Sequence, residues 1–265
     1  MSITDAARRK RRAELKVRLE SDTEDHLARC TIPSCHRPTM RAARVGLSAE
    51  LCKYHSQRVA RHGSAFAPTI RAADLKPYLA TARRWIGENT ADAFTIHALR
   101  CLRGLLDGAG MAEPAMDLKG RSAAFRSRVA FARLREAGVE PERLLATHLA
   151  IAALIEDDNE SHRVREYRIV QVAKVAHRLA SGTHRRWDFP LSDGTTAPLV
   201  MHVYPKSAGR VLRVMGEELE TACELVTSRD METIRRLKRE RHGPHTSQLP
   251  GWRPRWQRER TAAMA

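Results

Sequence analysis

The sequence predicts a mainly α-helical protein: a compact N-terminal module, then a multi-helix bundle carrying one small β-hairpin. Three observations lead to that expectation. The composition is 42% hydrophobic but only 5% aromatic, with Leu and Ala abundant, which favours packed helices over a β-sandwich. Beyond residue 70, apolar residues at helical spacing, punctuated by Gly, Pro and Asp, recur for about 110 positions. Three of the five cysteines fall between positions 30 and 52, and a histidine follows at 55, which marks the module.

In chain order, residues 4–20 read as a basic helix. Arg8, Arg9, Lys10, Arg11 and Arg12 form a cationic run, followed by Leu15 and Leu19 one turn apart. Such a segment can track phosphates as an arm, or it can be a solvated tail.

Residues 30–63 carry the chemistry. Cys30 and Cys35 are separated by four residues, with Pro33 and Ser34 where a knuckle would bend, and Cys52 and His55 are separated by two. Two close pairs joined by a short loop are what a tetrahedral zinc ion needs, because each pair presents two ligands and the loop brings the pairs together. Residues 53–61 read as helix, so the second pair comes from a helical first turn. That arrangement predicts a treble-clef or zinc-ribbon-like element. His36 and His62 are also near, and spacing from Cys52 favours His55. With no secretory leader visible, the cysteines are expected to be reduced, which favours metal over a disulfide.

The pattern Cys-x4-Cys, Gly46-Leu47, Cys-x2-His-x2-Arg-x2-Arg-x-Gly, on Cys30, Cys35, Cys52, His55, Arg58, Arg61 and Gly63, resembles a small zinc element of phage and mobile-element proteins. That element occurs in HNH-type endonucleases and in DNA-binding accessory proteins. The resemblance implies one structural Zn2+ per chain and suggests nucleic acid as the partner. This chain places Ser48-Ala49-Glu50-Leu51 between Gly46-Leu47 and the third cysteine.

Residues 64–70 read as a linker. Asp74 is expected to cap a helix running to about Ile86, and Thr90 the next, which the Gly108-Ala109-Gly110 cluster ends. A further helix runs from about Ser122 to Gly138. Pro141 suits the first turn of another, with Leu144, Leu145, Leu149 and Leu154. A long helix is expected from Glu160 to Leu179, ended by Ser181-Gly182. The segment 142–155 could be taken for the second half of a helix-turn-helix, but its apolar residues occupy most of its circumference, which marks a buried helix. Cys101 and Cys223 read as core residues.

After Gly182, Asp193-Gly194 between two β-compatible runs predicts a hairpin, held to edge strands by Pro190 and Pro198. Helices are then expected over 206–226 and 231–241. Residues 243–265, with three prolines, Trp252 and Trp256, read as a basic disordered tail. The expected organisation is therefore 1–26 arm, 27–64 Cys3His module, 71–182 bundle, 183–242 hairpin and helices, and 243–265 tail.

Net charge is +16 and is unevenly spread. Residues 1–70 carry 14 Lys/Arg against 7 Asp/Glu, residues 71–228 carry 23 against 20, and residues 229–265 carry 10 against 4. Basic ends around a balanced middle point to a polyanion. The longest apolar run, 149–155, is far shorter than the roughly 20 residues that span a bilayer, so no membrane role is expected and the location is expected to be the cytoplasm, nucleoid-associated if the partner is DNA.

No residue set asks to be called catalytic. The only asparagines are Asn89 and Asn159, so the Asn of an HNH hairpin has no counterpart near His202. His162 and Arg165, with His184 and Tyr204 downstream, give a partial recombinase pattern. Asp157, Asp158 and Glu160 could bind a divalent cation but are better read as capping the following helix. The sequence therefore points to a zinc-stabilised DNA-binding protein, an accessory or regulatory factor of a mobile element, with DNA favoured over RNA. Metal ligands are Cys30, Cys35, Cys52 and His55. Phosphate contacts come from Lys53, Arg58, Arg61 and the run 8–12. The rivals are a divergent nuclease or recombinase, and a zinc-dependent protein-interaction module whose helical body binds a partner.

Overall fold

Helices form where the apolar spacing predicts them, and the strands flank the Asp-Gly turn. The computed structural model describes residues 10, 12–13, 28–33, 35–180, 184–202 and 209–253. Among these it contains seven α-helices and one antiparallel two-stranded hairpin, the mainly helical class expected. The chain divides into two units, Met1–Phe66 and Ala67–Ala265.

The first unit contains helix α1 (Lys53–His62). It begins at Cys52, whose extended backbone occupies the N-cap position, and stops at Gly63, whose left-handed φ of 75° lets its N–H return to the Val59 carbonyl. Ahead of the helix, Arg29 and Pro38 form an antiparallel bridge. Lys10 and Arg12 are helical and exposed; Arg8, Arg9 and Arg11 lie outside the described residues.

The second unit is a bundle of α2 (Ala72–Glu88), α3 (Ala93–Asp107), α4 (Ala123–Glu136), α5 (Pro141–Asp157), α6 (Arg165–Ala180) and α7 (Gly209–His242). Helix α5 is buried on nearly every face, including Leu144, Leu145, Leu149, Ile151, Leu154 and Ile155, so it is the core of the bundle and not a recognition helix. Helix α7 packs against each of α2 to α6. Strand β1 (His184–Pro190) pairs with β2 (Thr196–His202), Asp188 opposite Pro198. The turn uses Gly194 at φ 80°, and Asp193 accepts from the Thr195 N–H at 2.9 Å. Cys223 is fully buried and Cys101 packs at the margin of the core.

Several boundaries differ from expectation, some for a local reason and others for a tertiary one. Helix α2 starts at Ala72 with Arg71 at the N-cap position, and Asp74 lies in the first turn, bonded to Arg71 at 2.7 Å. Asp92, not Thr90, caps α3, accepting from Thr95 N at 2.9 Å while Arg229 of α7 grips both its oxygens. Helix α6 begins at Arg165 and not at Glu160. Asp158 turns the chain there by accepting from Glu160 N, and Asn159 is spent on Ser247. The expected break within residues 227–230 does not occur. Thr227 donates to the Cys223 carbonyl inside the helix and Arg229 is tied to Asp92, so α7 runs unbroken for 34 residues.

Residues 243–253 are not a disordered tail. Gly243 ends α7, a short 3-10 turn follows (Thr246–Gln248), and His245 and Ser247 are buried. This segment closes over Asp157, a carboxylate left only 1% exposed. Asp157 accepts from Tyr78 Oη at 2.9 Å and from Arg235 at 2.8 Å, and Gln248 donates to its carbonyl. Lys238 lies over the Tyr78 ring and donates to the Gly243 carbonyl. The carboxylate run expected to cap a helix or hold a cation is therefore committed at Asp157 to an ion pair with α7. Burial, then the Asp157 charge, pushes the Tyr78 hydroxyl well above its ordinary range.

Candidate metal centre

The chain turns back twice to assemble this site. In the first turn, Cys30 N–H donates to the Arg37 carbonyl and Cys35 N–H to that of Ile32, which closes the knuckle around Pro33. In the second, Cys52 stands at the start of α1 and His55 lies one turn in. The two halves are stitched by Thr31 N–H to the Glu50 carbonyl and Met40 N–H to the Leu51 carbonyl, both at 2.9 Å. Ser48 accepts from Leu51 N at 3.0 Å. The Ser48–Leu51 stretch that departs from the resembling element thus supplies the bonds that close the loop.

These turns bring Cys30, Cys35, Cys52 and His55 together, with one donor atom from each lying within 4.8 Å of all the others. Cys30 Sγ is 3.2 Å and Cys52 Sγ 3.5 Å from His55 Nδ1, and Cys35 Sγ is 3.9 Å from Cys52 Sγ. His36 and His62 are not in the cluster. The set could hold a metal ion through three thiolates and one imidazole nitrogen, with no protein position left open in a four-coordinate site.

Local electrostatics suit that role at His55 and Cys52. Burial, helped by the Arg58 and Arg37 charges, holds His55 below its ordinary pKa, in the neutral form that ligates. Burial works to raise Cys52, but N–H groups of His55 and Tyr54 at the helix start, with the neighbouring thiols, bring it below its usual value. Around Cys35 the Arg37 N–H favours the thiolate, yet desolvation and the adjacent Cys52 and Cys30 leave that thiol raised.

The predicted phosphate contacts are placed differently from one another. Lys53 and Arg61 are exposed. Arg58 is half-buried, donating to the Phe66 carbonyl at 3.1 Å and reaching the Tyr54 hydroxyl at 3.4 Å. Two neighbours that the sequence reading passed over belong here, Arg37 and Tyr54. The Arg37 guanidinium lies 5.1 Å from the Tyr54 ring centroid. Each follows a cysteine of the cluster by two positions, which is the signal that could have found them.

The partial recombinase pattern does not converge on a site among the described residues. Arg163 pairs with Glu156, and Arg165 and Arg168 both pair with Glu220; the side chains of His184 and Tyr204 lie outside the description. In comparisons with protein families, curated proteins and solved structures, no match is found.

Proposed function

We propose that the chain is a zinc-stabilised DNA-binding protein, an accessory or regulatory factor of a phage or other mobile genetic element acting in the bacterial cytoplasm. One observation carries the reading: four convergent donors stand in a segment whose described residues, 28–33 and 35–66, form almost no apolar core. Among the described residues between 28 and 66 the buried apolar side chains are only Cys30, Ala42, Cys52 and Ala65, and α1 buries none of its residues. A unit this small without a core needs a metal to fold. Zinc fits the donors. Bonds of about 2.3 Å to sulfur give a tetrahedral edge of about 3.8 Å, against the 3.9 Å between Cys35 and Cys52.

The surface of the same unit supports a polyanion partner. Residues 28–66 hold seven Lys/Arg and one acid, Glu50. Lys53 and Arg61 contact phosphates, Arg58 adds charge while bracing the turn after α1, and the run 8–12 extends the contact along the backbone. Metal analysis joined to a salt-series titration on duplex DNA tests this. The expected result is one zinc per chain, binding that persists at about 150 mM salt and is lost on chelation, and a salt slope reduced by about one in Arg61→Ala. No zinc, or no binding above background, rejects the reading. A second reading, a zinc-held surface that docks a protein, is favoured by exposed Val45, Leu47 and Phe66. It predicts one zinc with DNA affinity that vanishes at physiological salt.

A further inference from the structure

Tyr54 is 48% exposed, although it lies one residue from a metal ligand in a folded turn. Two guanidinium groups lie over its ring. Arg37, from the knuckle, is 5.1 Å from the ring centroid and Arg58, one helical turn on, is 5.9 Å from it. Lys53 precedes it on the exposed face of α1. Neither Arg37 nor Lys53 makes an ion pair among the described residues, and Glu50 is the only acid between residues 28 and 66. An exposed ring beside Arg37 and Lys53 is the pairing that nucleobases and phosphates use together. Bases stack on aromatic rings and guanidinium planes, and the cations take the backbone. In an intact duplex the base faces are covered by their neighbours, so a stacking surface is used fully only by unpaired bases.

Resting on the nucleic-acid reading above, we propose that Tyr54 and Arg37 form a stacking platform for an unpaired base, so that the unit prefers single-stranded nucleic acid to duplex. The platform is built from both halves of the metal site. Arg37 follows Cys35 by two residues and Tyr54 follows Cys52 by two, so the metal that joins the halves also sets the distance between ring and guanidinium. Chelation therefore removes the single-strand preference along with the fold of the unit.

The test uses the full chain, a single-stranded oligonucleotide carrying 2-aminopurine, and a duplex of equal length at about 150 mM salt. The expected result is roughly tenfold tighter binding to the single strand, with 2-aminopurine emission quenched. Tyr54→Leu, with its metal content measured, is expected to bind the single strand about tenfold more weakly, to lose the quenching and to keep its duplex affinity. Tyr54→Trp is expected to retain preference and quenching, so a Leu variant that fails to hold metal does not remove the test. Equal affinity of the wild-type chain for both forms, or a metal-loaded Tyr54→Leu that still prefers and quenches the single strand, overturns the platform and leaves the DNA-binding reading standing. Absence of binding to either form overturns both.

Discussion

His148 lies wholly inside the bundle, and its Nδ1 has no hydrogen-bond partner among the described residues. Burial, reinforced by the Arg168 charge and opposed by Glu220, lowers its pKa to about 4. The unfolded chain takes up a proton near the ordinary value of about 6.5, and the folded chain resists until about pH 4. Between those limits the unfolded state binds more protons, so stability falls as pH drops through this window, by up to about 3 kcal/mol. His177, lowered chiefly by its own burial, acts in the same direction. Urea midpoints measured from pH 7 to 4 should fall, and His148→Leu should flatten the part due to this side chain. An unchanged slope in the variant would place the acid sensitivity elsewhere. The four donors were legible because their spacing is local and chemically specific. His148 was less so, since a histidine inside an apolar helical run gains meaning only when the surrounding helices close on it. Arg58 was half legible: its position on α1 was right, but its engagement with Phe66 depends on the turn that Gly63 makes.

At the level of elements, the α6–α7 crossing is set by backbone contact. A Cβ built on Gly216 would stand 2.3 Å from the Ile169 carbonyl oxygen and 2.7 Å from its carbon, and neither atom can retreat without moving α6. Gly216→Ala should cost about 1–3 kcal/mol. Gly104 in α3 faces open space, so Gly104→Ala should stabilise by about 0.5–1 kcal/mol through the helix propensity it restores. Thermal unfolding of the two variants should move in opposite directions, and a shared direction would contradict this packing. The helices could be read from their periodicity, and the hairpin from Asp193-Gly194. Their ends were harder, because Asp92, Asn159 and Arg229 answer to partners fixed by tertiary structure. Asn159 bonds Ser247, 88 positions away, and no local pattern contains that information.

For the whole molecule, the two units rest on different physics. The bundle core starts at Ala67 and is a continuous apolar cluster through Ile234, whereas the described part of the first unit gathers four potential metal donors and buries few apolar side chains. Chelation should therefore make residues 28–62 susceptible to protease while residues 72–253 stay resistant and the far-ultraviolet helical signal changes little. Loss of the bundle signal on chelation would refute that division. Composition conveyed the helical class and the uneven charge; the buried pairing of Asp157 with Arg235 lay beyond it, since the two are 78 positions apart.

A ribosome makes α7 after every helix it packs against. Until that helix emerges, Leu219, Cys223 and Val226 are not yet there to cover the faces of α2 to α6 against which α7 packs. The body thus completes only once α7 has been made and exposes sticky surface in the meantime. A message cut short before codon 209 would yield no smaller working protein, only a chain that clumps or is degraded, and a fragment ending at residue 208 should be cleaved rapidly under conditions in which the full chain persists.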